Sequence, residues 1–378
     1  MYKTKIYNSI TGVKKESWDA LTGNNVYMCY EFLKTFEETL SFPLLPHYIT
    51  INEHEEIIGA SVCYFEQKNE GRIIDKVILG KLLKFGLIEK LSFFPAVICN
   101  RQRGNGTHFI LYPGISNDQI ILLQNKILDE IERIAKNNKA SVCFMNINEN
   151  ETQLMKSLKK RGYYKSMDLP SNFIDIKWSS FEEYENHLSK KYLNMKKSIR
   201  RELNKNRKSG VIIEKLENIN SHHERLLELL KKNHFKYNLS PFPFKPDLFK
   251  KIKENFGNNT SIYIAVKDGI IIGVQVELRR GKEVFLSNVG IDYEYSQKDF
   301  TFFNLAYYEP IKHAIQYDIA RIYYGRGSYE TKMRRGCTTQ DMYIFYKPRK
   351  KLLSPIVNLW FAFHYIWMKR KISYIKEL

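Results

Sequence analysis

The sequence predicts an α/β (α+β) protein of two domains, each a mixed central sheet flanked by helices. Three observations carry this expectation. The chain has 378 residues, longer than one core usually reaches and enough for two. Runs of β-branched and aromatic residues alternate along it with segments of helical periodicity. The order of these elements in the first half then recurs in the second. A hydrophobic content of 43%, with 14% aromatics, fills two cores and excludes a disordered chain.

In order, Ser17 to Gly23 and Cys29 to Leu40 read as helices, and Tyr48 to Phe65 reads as a hairpin with a polar tip at Asn52 to Glu56. Leu91 to Cys99 reads as a strand. Asn117 to Asn138 reads as a helix, because Ile121, Leu122, Ile127, Leu128, Ile131 and Ile134 recur at helical spacing. Ala140 to Ile147 is a buried strand, Thr152 to Gly162 a helix stopped by glycine, and Asn172 to Trp178 another strand. The second half opens with one long basic helix, Phe181 to Lys208, ended by Gly210. A strand at Val211 to Leu216 follows, then helices at Glu224 to Lys236 and Asp247 to Phe256. Ile262 to Leu278 is a hairpin turned at Lys267-Asp268-Gly269, a strong turn signal. A helix from Phe300 to Tyr317, a strand at Ala320 to Gly325, a short basic segment and a strand at Gln340 to Tyr346 complete the series.

The repeat is visible residue by residue. Tyr48 to Val62 (YITINEHEEIIGASV) matches Tyr263 to Val276 (YIAVKDGIIIGVQV), with Gly59 and Gly273 each following an isoleucine pair. NNKASVCF followed by LKKRG parallels YDIARIYY followed by KMRRG. The expected domains are therefore 1–178 and 179–347, the second carrying the basic helix, with 348–378 as a basic and aromatic helical tail.

A formal net charge of +19 favours anionic partners such as nucleic acid, phosphorylated cofactors or acidic lipid headgroups; a general enrichment in Lys is the alternative source. The five cysteines are scattered without C-x-x-C pairs, which argues against a disulfide framework or a zinc site. His222, His223, His234 and His313 lack partners at metal-ligand spacing, so no metal is expected. The first residues contain no apolar core of a secretory signal, and a cytoplasmic location is expected, with peripheral attachment at the inner face of a membrane left open. That opening comes from the tail. Leu352 to Met368 carries no charge and is flanked by basic clusters. It reads as a packed helix or partner surface, as a membrane-surface contact, or as a short span.

Several ordered blocks resemble the FemAB-like (peptidoglycan biosynthesis/recognition-like) family of the GNAT acyltransferase superfamily. Ser17 to Glu38 is similar to the family's W-D-x-L…F-L…L-E opening, with Val26-Tyr27 where Pro-Phe is usual. Pro95 and Arg101 match a P…R stretch, Arg161-Gly162 closes a matching helix, and Leu188 to Lys205 is close to L-S-x-K…K-x-I-R-R-E. Glu330, Lys332, Arg335 and Gly336 match E-H-K-x-x-R-G. Thr331 stands in place of the family His, and Cys337 in place of an aromatic. A related GNAT-like pattern, G-R-G…Y-K, is matched by Gly325, Arg326, Gly327 and Lys332. The resemblance covers residues 17 to 346 and implies tandem GNAT-like domains. It also implies an N-acyltransferase using an activated donor and an amine acceptor: an amino acid, amino sugar, peptide or lipid precursor. No tightly bound cofactor is implied. An acyl-CoA is the first expected co-substrate and aminoacyl-tRNA, with tRNA as partner, the second. A non-catalytic binding module for cell-wall precursor or membrane is the third reading.

Acyl transfer to an amine needs a polarised carbonyl, a deprotonated amine and positioning of both substrates, and no nucleophile triad is visible. Arg326, Gly327, Lys332 and Arg335 follow the last long strand, where basic groups and permissive glycines suit an anionic substrate. Glu330 or Asp292 is the expected base, and Tyr237 is expected to protonate a leaving group, with Tyr293 beside the donor. Each of these also has a purely structural reading, as an ion pair or as packing. Arg101, Gly104 and Gly106 have the R-x-x-G-x-G spacing of a pyrophosphate turn. The corresponding stretch of the second half, Asp292 to Lys298, has no glycine. Lys197, Arg200 and Arg201 on the basic helix would hold a phosphorylated donor or an RNA backbone; a solvated basic face is the alternative. The Pro-rich and aromatic stretch from His234 to Pro246 reads as a substrate-facing loop.

Overall fold

The computed structural model describes residues 2–68, 93–100, 108–219, 221–238, 241–296, 298–350, 352 and 354–377. From the amino terminus come β1 (Tyr2–Tyr7), α1 (Lys15–Asp19), α2 (Tyr30–Thr39), β2 (Leu45–Glu53) and β3 (Glu56–Glu66). Then follow β4 (Ala96–Cys99), β5 (Phe109–Leu111), α3 (Asn117–Asn137), β6 (Ser141–Asn148), α4 (Thr152–Lys160) and β7 (Tyr164–Asp175). The middle of the chain forms α5 (Phe181–Lys191), α6 (Met195–Lys208), β8 (Ile212–Lys215), α7 (His223–Asn238) and α8 (Leu248–Phe256). Next are β9 (Thr260–Lys267), β10 (Ile270–Arg280), β11 (Glu283–Ile291) and the short α9 (Thr301–Phe303). A π-helical turn, Asn304–Tyr308, joins α9 to α10 (Glu309–Gln316). The chain ends with β12 (Arg321–Gly325), α11 (Tyr329–Arg334), β13 (Thr338–Lys347) and α12 (Ser354–Glu377).

The repeated isoleucine–glycine step marks the same backbone event twice. In the first hairpin Ile51 pairs with Gly59 and Asn52 with Ile57, which leaves Ile58 as an extra, bulged residue. In the second, Val266 pairs with Ile271 and Ala265 with Gly273, leaving Ile272 bulged. The glycine after each bulge admits a neighbour that a side chain would exclude. A Cβ on Gly59 would meet Leu111 Cδ2 at 3.1 Å, and one on Gly273 would meet Leu305 Cδ2 at 2.9 Å. The second hairpin turns at Asp268 and Gly269, both at positive φ, as a two-residue turn requires.

The chain divides into two compact units, Met1–Glu37 with Phe42–Ser171 and Gln340–Leu378, and Glu38–Ser41 with Asn172–Thr339. Each has the same core topology. In the first unit the hairpin β2–β3 is followed by antiparallel β4, helix α3 and β6 parallel to β4. In the second the hairpin β9–β10 is followed by antiparallel β11, the α9–α10 helix and β12 parallel to β11. The strand that completes each sheet comes from the other half of the sequence. β13 pairs antiparallel with β6, whereas the last residues of β7 pair antiparallel with β12.

This exchange corrects the boundaries expected at 178/179 and 347/348. The final strand and the tail belong with the first unit, and the end of β7 with the second. The tail is a 24-residue helix with one face packed on the sheet through Val357, Phe361, Met368 and Ile372. Among the described residues, no helix is long and apolar enough to cross a membrane.

The expected single helix from Phe181 to Lys208 is also corrected. It is two helices, α5 and α6, separated at Tyr192 to Asn194. Asn194 takes a left-handed conformation, φ 63°, which Asn tolerates better than most residues. Ser189 Oγ then accepts from the Lys196 N–H at 2.7 Å, satisfying a free donor at the start of α6. A third strand in the second sheet, β11, and the edge strand β1 lie where the sequence suggested neither.

Candidate functional site

Helix α6 is polar on one side and buried on the other. Met195, Ile199, Glu202 and Asn206, at steps of four, three and four, form its buried stripe. The opposite side lines an open groove of about 580 Å³ bounded by Ser189, Asn194, Lys196, Lys197, Arg200, Arg201 and Asn204. Within that groove the cations differ. Lys196 Nζ is held by Glu182 at 3.0 Å and by Asn186 at 2.6 Å. Arg200 donates to the buried carboxylate of Glu185 at 3.2 Å. Lys197 and Arg201 are exposed, and no carboxylate among the described residues pairs with them. Arg201 instead lies 6.0 Å from the ring of half-buried Phe300, and Lys205 lies 5.5 Å from the same ring.

The Gly325–Gly336 stretch, expected to meet an anionic substrate, is turned inward. Gly325, Gly327 and Ser328 all have positive φ and curl the chain between β12 and α11. The curl brings three carbonyls onto one ammonium. Lys332 Nζ donates to Tyr324 O at 2.8 Å, Gly325 O at 3.1 Å and Arg326 O at 2.8 Å. Burial pushes its amine down to about 8. Arg335, one helical step further, is also buried. Its Nη2 donates to Glu202 Oε2 at 2.9 Å and its Nη1 to Thr331 O at 3.3 Å, with the guanidinium 3.7 Å over Phe303. Tyr308 donates to the same Glu202 oxygen. Burial alone would lower the Arg335 pKa; Tyr308 and Glu202 hold it above its ordinary value. Lys332 and Arg335 therefore bind the protein's own groups. Glu330 and Arg334 occupy the other face of α11, exposed and 3.6 Å apart.

Asp292, also expected as a base, is buried at the end of β11. Arg225 Nη2 donates to its Oδ2 at 2.8 Å and the Glu294 N–H to its Oδ1 at 3.1 Å. Burial would raise the carboxyl, but Arg225, the Glu294 N–H and Lys232 hold it below its ordinary value. Tyr237 and Tyr293 are exposed, with hydroxyls 3.5 Å apart, and Lys236 Nζ lies 3.6 Å from the Tyr293 ring. Burial raises the Tyr293 phenol above its ordinary value, its neighbour Tyr237 adding to the shift.

The helix that follows the glycine-free turn starts at a closed site. The side chain of Asp299, 2% exposed, accepts from the Thr301 N–H at 3.0 Å and from the Thr301 hydroxyl at 2.7 Å. Asn206, on the inner face of α6, donates to Asp299 O and to Thr301 Oγ1, both at 3.1 Å. The backbone donors a pyrophosphate would seek there are faced by the chain's own carboxylate. In the first unit, Ser116 and Gln119 form a capping box at the start of α3. Arg101, Gly104 and Gly106 lie outside the described residues. The expected substrate-facing loop at His234 to Pro246 is corrected in its first part, since His234 to Asn238 are the last residues of α7. Residues 241–246 are tied to residues 39–41 by Ser41 N–H to Pro243 O at 2.9 Å and Lys245 N–H to Thr39 O at 2.6 Å. Among the described residues, no group of three His, Cys, Asp or Glu could hold a metal ion.

Glu202 was the residue least legible in advance. It is the one acid on a strongly basic helix, but its place in the Met195–Ile199–Glu202–Asn206 stripe was a signal that it points inward and needs a partner.

Two units with this hairpin–strand–helix–strand topology define the tandem GNAT class, and solved structures agree. A tandem GNAT protein from the clavulanic acid biosynthesis pathway aligns over 93% of this chain and 99% of its own, at 8% identity and a TM-score of 0.51. FemX aligns over 94% of this chain and 100% of its own, at 10% identity and 0.59. The C-terminal domain of a putative lysylphosphatidylglycerol synthetase from Agrobacterium fabrum aligns over 92% and 95%, at 10% identity and 0.54. No curated protein sequence matches the chain. The sequence pattern of the FemAB-like family, described as peptidoglycan biosynthesis/recognition, matches residues 9–377. The chain belongs to the FemAB-like family and is, at that level, an acyltransferase-type enzyme.

Proposed function

We propose that this protein moves an aminoacyl group from a charged tRNA to an amine of a peptidoglycan precursor. The observation that carries the reading is the open basic groove on α6, where Lys197 and Arg201 face solvent without a carboxylate partner. A polyanionic carrier is the ligand class such a surface favours, through phosphate contacts and release of counterions. Phe300, half-buried beside Arg201 and Lys205, adds an aromatic face of the kind on which a nucleobase stacks. The start of the α9–α10 helix, occupied by Asp299, favours a donor other than a coenzyme A thioester in the second unit.

In the reaction the acceptor nitrogen attacks the aminoacyl ester carbonyl. A C–N bond forms, the C–O bond to the ribose breaks, and the ribose oxygen takes up a proton as the nitrogen loses one. Alignment of the two substrates supplies most of what this step needs. Of the two acids considered for proton removal, Asp292 is committed to Arg225, and Glu330 keeps an exposed carboxylate. Glu330 is therefore the acid we assign to receive the amine proton, and Tyr237 the exposed hydroxyl nearest in chemistry to a leaving-group donor.

The test is transfer itself. Purified protein is given a peptidoglycan precursor with either labelled aminoacyl-tRNA or a panel of acyl-CoAs, and products are read by mass. Label is expected on the precursor from tRNA only. Transfer from an acyl-CoA and none from tRNA would overturn the donor and restore the thioester reading.

A further inference from the structure

We propose that the outer face of α12 docks on the surface of an anionic lipid bilayer. The helix has two apolar faces, and only one is covered. The inner face is fixed to the first unit: Phe361 stacks on Tyr346 with ring centroids 5.7 Å apart, and His364 Nδ1 lies 2.7 Å from Ser166 Oγ. Near its end Lys376 pairs with Asp341 at 2.8 Å. The outer face presents Ile356, Leu359, Phe363, Ile366, Trp367 and Tyr374, all exposed, with Leu359 at 75%. At 3.6 residues per turn these six fall within an arc of about 100°, roughly opposite the buried stripe. A continuous stripe of this kind, about 30 Å long on a helix rising ~1.5 Å per residue, is a surface built to be covered.

Charge decides the occupant. α12 contains one acid, Glu377 at its last residue, against four cations; Lys369 and Lys371 flank the stripe on either side while Arg370 falls within it. Arg349 and Lys350 precede the helix. Lys371 Nζ lies 5.4 Å from the Trp367 ring, so cation and aromatic share one level. Exposed aliphatic and aromatic side chains bordered by lysine and arginine match the headgroup region of a bilayer with acidic lipids. A second copy of the chain fits less well, because a two-fold contact would set these basic ends against each other. With its inner face committed to the sheet, α12 can rest along such a surface while the domain stays in water.

The experiment is co-sedimentation of the full chain with vesicles of phosphatidylglycerol and phosphatidylcholine, or of phosphatidylcholine alone, at low and high salt. Binding is expected to the acidic vesicles, weakened by salt, and about tenfold or more weaker for Phe363→Glu/Trp367→Glu. Both sites are exposed, so the variant's thermal unfolding should match the parent. Lys369→Gln/Arg370→Gln/Lys371→Gln is expected to lose the preference for acidic lipid. Failure of the parent to sediment with acidic vesicles would overturn the proposal, as would unchanged binding by the apolar variant. A dimer in solution that the apolar variant dissociates, without vesicle binding by the parent, would replace the bilayer with a second copy.

Discussion

Arg335 and Glu202 meet inside the second unit as a buried ion pair, 2.9 Å apart, with side chains 6% and 8% exposed. The pair joins the residue that follows α11 to α6, so the helix that offers Lys197 and Arg201 outward is fixed inward by a residue expected to bind substrate. Tyr184 on α5 and Tyr192 in the break between α5 and α6 reinforce the joint by donating to Arg335 O at 3.0 Å and Met333 O at 3.2 Å.

Removing one partner of a buried pair leaves the other charge without compensation, at a cost of about 3–5 kcal/mol. Arg335→Ala should therefore destabilise the protein by that order, read as a lower urea midpoint. Arg335→Met with Glu202→Leu removes both charges and should recover part of the loss. Unchanged stability in the single variant would contradict a structural role for Arg335.

Lys332 gives a pH signature. Burial pushes its folded amine down to about 8, against about 10.5 for a free lysine. Below pH 8 both folded and unfolded chains hold the proton, and the penalty of burying the charge is fully present. Between these values the unfolded chain holds one proton more, so stability rises with pH. Stability of the parent relative to Lys332→Met should climb by about 1.4 kcal/mol per pH unit across this window, ~3 kcal/mol in all. Parallel stability profiles for the two proteins from pH 7 to 10.5 would show that the amine is not depressed.

Much of the fold was legible because its signals are local. The Ile-Ile-Gly repeat announced both hairpins, and each glycine follows a bulged isoleucine, Ile58 or Ile272. The exchange of β7 and β13 was not legible, since pairing across more than a hundred residues leaves no mark on either strand's own pattern. β11 was missed because Ser287 and Asn288 interrupt its apolar run, at the point where its pairing with β10 shifts register between Val276 and Glu277. At the site, the sequence located the basic clusters but not their direction. α11 is six residues of mostly polar character, so nothing in its composition says that Lys332 and Arg335 face inward while Glu330 and Arg334 face out.

At Gly290 on β11 the backbone of α7 crosses close to the second sheet. A Cβ there would lie 2.7 Å from the Leu229 carbonyl carbon and 2.8 Å from its oxygen, both backbone atoms that a rotamer change cannot move. Gly290→Ala should lose about 1–3 kcal/mol of stability, the usual range for overpacking. Gly23, at positive φ but with nothing within 4 Å of an added Cβ, is the comparison. Gly23→Ala carries only the conformational penalty, about 1–2 kcal/mol. An unfolding temperature for Gly290→Ala equal to the parent's would mean that α7 has room to withdraw.

Lys197 and Arg201 separate a working basic groove from a solvated face. If the groove holds an RNA backbone, each cation that touches a phosphate contributes a counterion release, and the slope of log affinity against log salt falls by roughly 0.7–0.9 when it is removed. Lys197→Gln and Arg201→Gln should thus each weaken tRNA binding at low salt and flatten its salt dependence by about that amount. Arg200→Gln should do so less, because its guanidinium is already shared with Glu185. Lys136→Gln, at an exposed position on α3 of the other unit, removes the same charge and should leave the slope unchanged. The discriminating quantity is the difference between these slopes. A net positive chain attracts RNA everywhere, so equal losses from Lys197→Gln and Lys136→Gln would assign the binding to overall charge, whereas a flattened slope confined to α6 places the phosphates in the groove.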